Sequence, residues 1–231
     1  MFRAILLIAA LLASPVAAAQ AVPTQTAGAS PERFEEGRHY FRIASPVATE
    51  SPGQVEVTEV FSYGCPACFQ FEPVMERLRE ALPEGAVLRL EPASFRVDED
   101  WPLFQRAYLT AKQLGIADKA HAAMFDAVWK DGPLRTRDRA TRRPVHPSLE
   151  QVADFYAGFG VTAEQFLQAA RTSGMEVRML QGDYWVQSSG TDGTPTLIVN
   201  GKWRFTPRSA GGVDQTITLM QYLVARELAA D

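Results

Sequence analysis

The sequence predicts an α/β fold in which a βαβ half and a ββα half are separated by an inserted block of helices. Three observations carry that expectation. An apolar, strand-like run from Val55 to Phe61 ends just before Cys65-Pro66-Ala67-Cys68. A long stretch from Trp101 to Ser188 is rich in Ala, Leu, Gln and Glu. Strand character then returns at Thr196 to Val199 and is followed by Asn200-Gly201, the favoured signal of a two-residue hairpin. With 231 residues, 46% hydrophobic and 22% charged, the chain can bury a full core, which argues against large-scale disorder. A net charge of -4 gives no general attraction to nucleic acid or anionic lipid.

At the N-terminus, Arg3 precedes the apolar run Ala4 to Ala13, and small residues follow at Ala17-Ala18-Ala19 and Ala19-Gln20-Ala21. This is the layout of a cleavable secretory signal peptide over residues 1–20, with cleavage expected between Ala18 and Ala21. An uncleaved anchor is the competing reading; the strongly apolar part is shorter than the ~20 residues a span needs, and Pro15 would break it. Residues 21–33 read as a flexible lead-in. The folded part is then expected as 34–96, a helical insertion at 97–189, and a closing segment at 190–231.

His39 to Ile43 and Gln54 to Phe61 read as the first two strands. A helix from Pro66 is signalled by an apolar stripe at Phe71, Val74, Met75, Leu78 and Leu82, with Pro66 suited to its first turn and Pro73 expected to kink it. Ala86 to Leu90 alternates as a third strand. Helices are expected near 101–114, 119–129, 148–158, 163–171 and 175–189. Thr196 to Val199 and Lys202 to Phe205 form the hairpin. A last helix over 212–228 is expected to turn Ile217, Met220, Tyr222, Leu223 and Leu228 toward the core.

Cys65 and Cys68 are the two cysteines of the chain. A disulfide across so small a ring constrains the unfolded chain little, so reactivity explains the pair better than bracing. A static bond and half of a metal site remain as alternatives. No metal is expected, because zinc would need two further ligands and His39, His121 and His146 form no recognisable spacing with the pair. At a helix start, unpaired N–H groups and the positive end of the helix dipole favour a thiolate at Cys65 and lower its pKa. Cys68, one turn further in, is expected to be shielded and to close or reopen the internal disulfide. Glu59 shares strand parity with Val55, Val57 and Phe61, which places a carboxylate on an apolar face close to the sulfurs; burial would raise its pKa and fit it to hold a proton for Cys68. An exposed strand end is the alternative.

The predicted order of elements matches a thioredoxin fold with a helical insertion. Cys65-Pro66-Ala67-Cys68, Gly193-Thr194-Pro195-Thr196 and Asn200-Gly201-Lys202 resemble the active-site, cis-proline and hairpin segments of the DsbA family of periplasmic thiol:disulfide oxidoreductases. Phe34-Glu35-Glu36-Gly37 and Gly212-Val213-Asp214 resemble that family's opening and final segments. The likeness runs from about Phe34 to the C-terminus and is weak through the middle helices.

The resemblance implies a cis bond at Thr194-Pro195 that exposes the Thr194 backbone for strand-like pairing with a client, with Gly193 in the same segment. An ordinary trans proline opening an edge strand is the alternative. Glu59 matches the family's buried acid. Between the cysteines the family usually carries Pro-His, whereas this chain has Pro66-Ala67, so weaker thiolate stabilisation and a weaker oxidant are expected. Tyr63, Phe69 and Phe71 are expected to form an apolar rim for unfolded clients.

The activity implied is donation of the Cys65–Cys68 disulfide to cysteines of exported, folding proteins in the periplasm, with reoxidation by a DsbB-type, quinone-linked membrane partner. No cofactor beyond the in-chain disulfide is expected, no nucleic acid, and a monomer. A reductase or isomerase on the same fold is the alternative, kept open by Thr at 194, as is a non-redox chaperone. The basic segment from Arg135 to Arg143 reads as a solvated loop.

Overall fold

The computed structural model describes residues 34–130 and 132–230, so the expected signal peptide and lead-in lie outside it. Two strands, β1 (Phe41–Arg42) and β2 (Val55–Phe61), lead into α1 (Pro66–Glu80) and β3 (Ala86–Pro92). Five helices follow: α2 (Trp101–Gln113), α3 (Ala117–Trp129), α4 (Leu149–Tyr156), α5 (Ala163–Ala170) and α6 (Ser173–Ser188). The chain returns through β4 (Thr196–Val199) and β5 (Trp203–Phe205), a short α7 (Pro207–Ala210) and α8 (Val213–Leu228).

The strands form one sheet in the order β1-β5-β4-β2-β3, with β2 and β3 parallel and the other neighbours antiparallel. β2 therefore lies between β3 and β4, and all seven of its residues are buried. Both faces of β2 are thus covered, and the strand end that carries Glu59 is not exposed. On one face Glu59 lies between Leu90 and Leu197. On the other, Glu56 and Thr58 are equally buried; Arg89 of β3 meets Glu56, Glu50 and Glu91 there and lies over the Trp185 ring of α6. Two covered faces make a strand in which every side chain must be matched, polar ones included.

The hairpin forms because both Asn200 (φ 51°) and Gly201 (φ 64°) adopt left-handed backbone, the geometry that matches the twist of paired strands. Gly201 is also required for space, since a Cβ there would meet the Val47 carbonyl oxygen at 2.1 Å. Glu227 of α8 fastens this turn, accepting from Asn200 Nδ2 at 2.7 Å, Lys202 Nζ at 2.6 Å and Trp203 Nε1 at 2.6 Å. Burial works to raise its pKa, but the three donors outweigh that and hold it below the usual carboxylate value. Glu227→Ala is expected to cost about 3 kcal/mol in urea unfolding at pH 7, because it orphans the buried Trp203 N–H. A depressed folded pKa gives stability that is present above the unfolded pKa of about 4.3, so the difference between the two proteins shrinks as pH falls below that value.

α1 is a single helix through Pro73 and buries Phe71, Val74, Met75 and Leu78. In α8, Met220 and Leu223 are buried as expected, whereas Tyr222 and Leu228 are exposed. One side of that helix packs on β2, β4 and α1, and Tyr222 and Leu228 fall outside that contact. α7 was not expected from hydrophobic periodicity; Thr206 caps it through a reciprocal bond pair with Ser209, and Pro207 fills its first position.

Candidate active site

Cys65 is the N-cap of α1, in extended backbone, with Pro66 at the first helical position. Its sulfur accepts from the Cys68 N–H at 3.4 Å, and its thiol lies 3.5 Å from the Thr194 carbonyl oxygen. No acidic residue occupies the first turn of α1, and Arg77 and Arg79 occupy the last, so the helix dipole is left to act on the sulfur. The thiol is pulled down to about 6, first by the hydrogen bond from the Cys68 thiol and then by Thr194 and the backbone N–H groups of Cys68 and Ala67, against the opposing effect of burial. Cys68 is moved the other way. Burial pushes its thiol well up, assisted by the bond it gives to Cys65 and by Glu59. The structure holds both as free thiols, the reduced form of the pair.

Thr194-Pro195 is cis, and its loop faces the sulfurs. Glu59 is 2% exposed, and burial, then Glu72, then Cys65 push its carboxyl well above the usual value, with Arg79 opposing. Two hollows flank the motif and meet at Gly193 and Thr194. One, of about 720 Å³, runs from Cys65 and Thr194 past Trp129, Trp101 and Phe95 to Arg137 and His146. The other, of about 810 Å³, runs from Ala67 and Pro195 along Phe71, Val74 and Thr206. Pro66 and Ala67 are exposed between them, and Gly193 borders both. A low-pKa sulfur over a high-pKa sulfur, with a buried acid beneath, is an arrangement for thiol–disulfide exchange.

No family model matches the sequence. The thiol:disulfide interchange protein DsbA of Azotobacter vinelandii is 34% identical over 210 residues, covering 91% of this chain and 92% of that protein. The chain belongs to the DsbA family. It is a thiol:disulfide oxidoreductase with the α/β thioredoxin fold of that family and its helical insertion. The crystal structure of Pseudomonas aeruginosa DsbA matches with a TM-score of 0.73 at 34% identity, over 85% of this chain and 96% of that one. DsbA from Xylella fastidiosa matches with a TM-score of 0.71 at 30% identity, over 82% of this chain and 95% of that one.

Within this DsbA fold, Cys65, Pro66, Ala67, Cys68, Glu59, Gly193, Thr194 and Pro195 converge on one place. Tyr63 does not join them at the surface. It is 1% exposed, with its hydroxyl 2.8 Å from His121 Nδ1, so it cannot form the expected rim. The loop after β2 turns inward because Gly64 lets it approach Trp101, where a Cβ would stand 2.8 Å from the indole. Phe69 is half-buried and stacked on Trp129, with ring centres 6.2 Å apart, and borders the cleft only through that indole. Trp129, Trp101 and Phe95 form the apolar wall instead, Trp129 fixed by its N–H to the Tyr63 carbonyl at 2.8 Å. Glu72, four residues past Cys68 on α1, is largely buried, with its carboxyl oxygen 3.4 Å from His121 Nε2. The 135–143 segment is largely exposed, with Thr136 and Arg137 reaching the cleft. Among the described residues, no three His, Cys, Asp or Glu side chains group as metal ligands, and no helix is long and apolar enough to cross a membrane.

Proposed function

We propose that the chain is a periplasmic disulfide donor, and the opposed proton affinities of Cys65 and Cys68 carry that reading. In the oxidised protein a client thiolate attacks the Cys65 sulfur, the Cys65–Cys68 bond breaks, and Cys68 leaves with the electron pair. Cys68 is too basic to remain a thiolate, so it takes a proton, and Glu59 is the acid placed to deliver it. A second client thiolate then attacks the client sulfur of the mixed disulfide, and Cys65 leaves as a stable thiolate. The client loses two electrons and two protons; the chain gains both electrons and one proton, held on Cys68 once solvent has reprotonated Glu59, and the other proton goes to solvent.

The Thr194 carbonyl offers the client backbone a partner, and the two hollows accept extended chain on either side of its cysteine. Family membership and the signal-like residues 1–20 support export, and a DsbB-type membrane oxidase is the partner such a donor needs for turnover. Ala67 supplies no charge to Cys65, so the couple is a weaker oxidant than one carrying Pro-His; each 1.4 kcal/mol of lost thiolate stabilisation lowers the potential by about 30 mV.

The test is the equilibrium potential of the Cys65–Cys68 couple against glutathione, measured across pH, with transfer to a reduced unfolded client alongside. Reduction takes up two protons below pH 6 and one above it, so the potential is expected to fall by about 59 mV per pH unit below the break and about 30 mV per unit above it. A break near 8.5, where free cysteine titrates, together with a bridge that resists mild reductants, would sink the donor role and favour a reductase.

A further inference from the structure

The exchange steps leave His121 unused, although it lies one contact away from them. It is carried on α3, within the inserted helices, and is 7% exposed. The rings of Phe61, Tyr63, Tyr108 and Phe125 enclose it, with centroids 5.1 to 6.2 Å away. Tyr63 Oη lies 2.8 Å from Nδ1, and Glu72 Oε2 lies 3.4 Å from Nε2. Burial, above all, pushes the Tyr63 phenol well up, so it keeps its proton. That proton is assigned to Nδ1 as acceptor, which puts the ring's own N–H on Nε2, facing Glu72. Phenol, imidazole and carboxylate are then each satisfied in one direction.

Glu72 stands four residues past Cys68 on α1, one turn along the same helix. Its side chain is 16% exposed. Glu59 feels it: Glu72 is the strongest influence after burial on that acid. Glu59 in turn raises Cys68.

We propose that His121 is a positioning residue for the dithiol, holding the Glu72 carboxylate in place on α1 one turn beyond Cys68. The proposal rests on the reading of Cys65 and Cys68 as a redox couple. A carboxyl largely withdrawn from water needs a polar partner, and His121 Nε2, 3.4 Å away, is the one that faces it. A charged Glu72 makes a second negative charge at Glu59 costly. Without His121, Glu72 loses the contact that fixes it and turns to solvent, and Glu59 ionises more readily beneath the sulfurs. The ionisable groups facing His121 are Tyr63, Glu72 and Tyr108; those acting on Glu59 are Glu72, Cys65, Cys68 and Arg79.

The test follows the Glu59 carboxyl by carbon NMR, together with the pH profile of the exchange rate, in the reduced wild type and in His121→Phe, His121→Gln and Glu72→Gln. Glutamine at 121 can donate to Glu72 and accept from Tyr63; phenylalanine can do neither. The Glu59 midpoint is expected to fall by about one pH unit, a tenfold change in proton affinity, in H121F and E72Q, and to stay with the wild type in H121Q. The matching limb of the rate profile moves with it. Unchanged midpoints in H121F and E72Q, in proteins that fold and still transfer a disulfide, overturn the proposal and leave the redox reading intact. A wild type that transfers no disulfide overturns the redox reading itself. Should H121F fail to fold, E72Q decides alone, since it cuts the chain at its more exposed end.

Discussion

A Cys68→Ser protein is expected to form a lasting mixed disulfide between Cys65 and glutathione or a client, whereas Cys65→Ser is expected to reduce disulfide transfer to the uncatalysed background. Cys65 is the sulfur that borders the cleft, and its thiolate is the better leaving group. Cys68 is buried under it and reaches no client. With serine at 68 the adduct at 65 has no internal thiol to displace it, so it accumulates and is read by mass spectrometry. The pH dependence of Cys65 alkylation in the wild type is expected to have its midpoint near 6, since deprotonation limits that reaction. Relative to an unfolded cysteine, this shift favours the reduced fold at pH 7 by on the order of 1 kcal/mol after allowing for solvent screening, worth about 20 mV. A C65S protein with full activity would remove the sulfur from the reaction and leave client binding as the role of the fold.

Glu59→Leu is expected to have two opposite effects: a more stable reduced protein, and exchange slowed by about 100-fold at pH 7 through loss of the acid that serves Cys68. The stability gain has a defined pH course. A carboxyl with a raised folded pKa contributes stability that is complete only below the unfolded pKa of about 4.3 and is lost as pH rises toward its folded titration. Each pH unit inside that window therefore widens the advantage of the leucine protein by up to about 1.4 kcal/mol. Urea unfolding of both reduced proteins at pH 5 and pH 8 checks it. An advantage that is equal at the two pH values would mean that Glu59 ionises as freely as in water.

The parts of the site that depend on local sequence were legible in it. Pro66 after a strand end places Cys65 at a helix start, and Asn200-Gly201 names its own turn. Glu59 was assigned to the correct face, although the sequence could not reveal that the opposite face of β2 is covered as well. The misplaced residues are those whose setting is fixed by partners far along the chain. Tyr63 looked like a rim residue because it precedes Cys65, yet its hydroxyl is captured by a histidine 58 residues away. Trp129 packs on Phe69, and the fold of α3 against α1 also brings it to the cleft. Helix periodicity reports which face is dry and carries no information about which other helix will dry it. The one local signal passed over was Thr206-Pro207-Arg208-Ser209, a capping pattern that announces α7.

The sulfur of this protein that a client attacks, Cys65, is only 6% exposed, sunk in a cleft beside which a second furrow opens. A cysteine fixed on the convex surface of a finished globule has no route to it, while one on a slack polypeptide can be lowered in from either direction. A donor so built is expected to discriminate by conformational maturity, writing crosslinks into chains that have yet to settle and passing over those that already have.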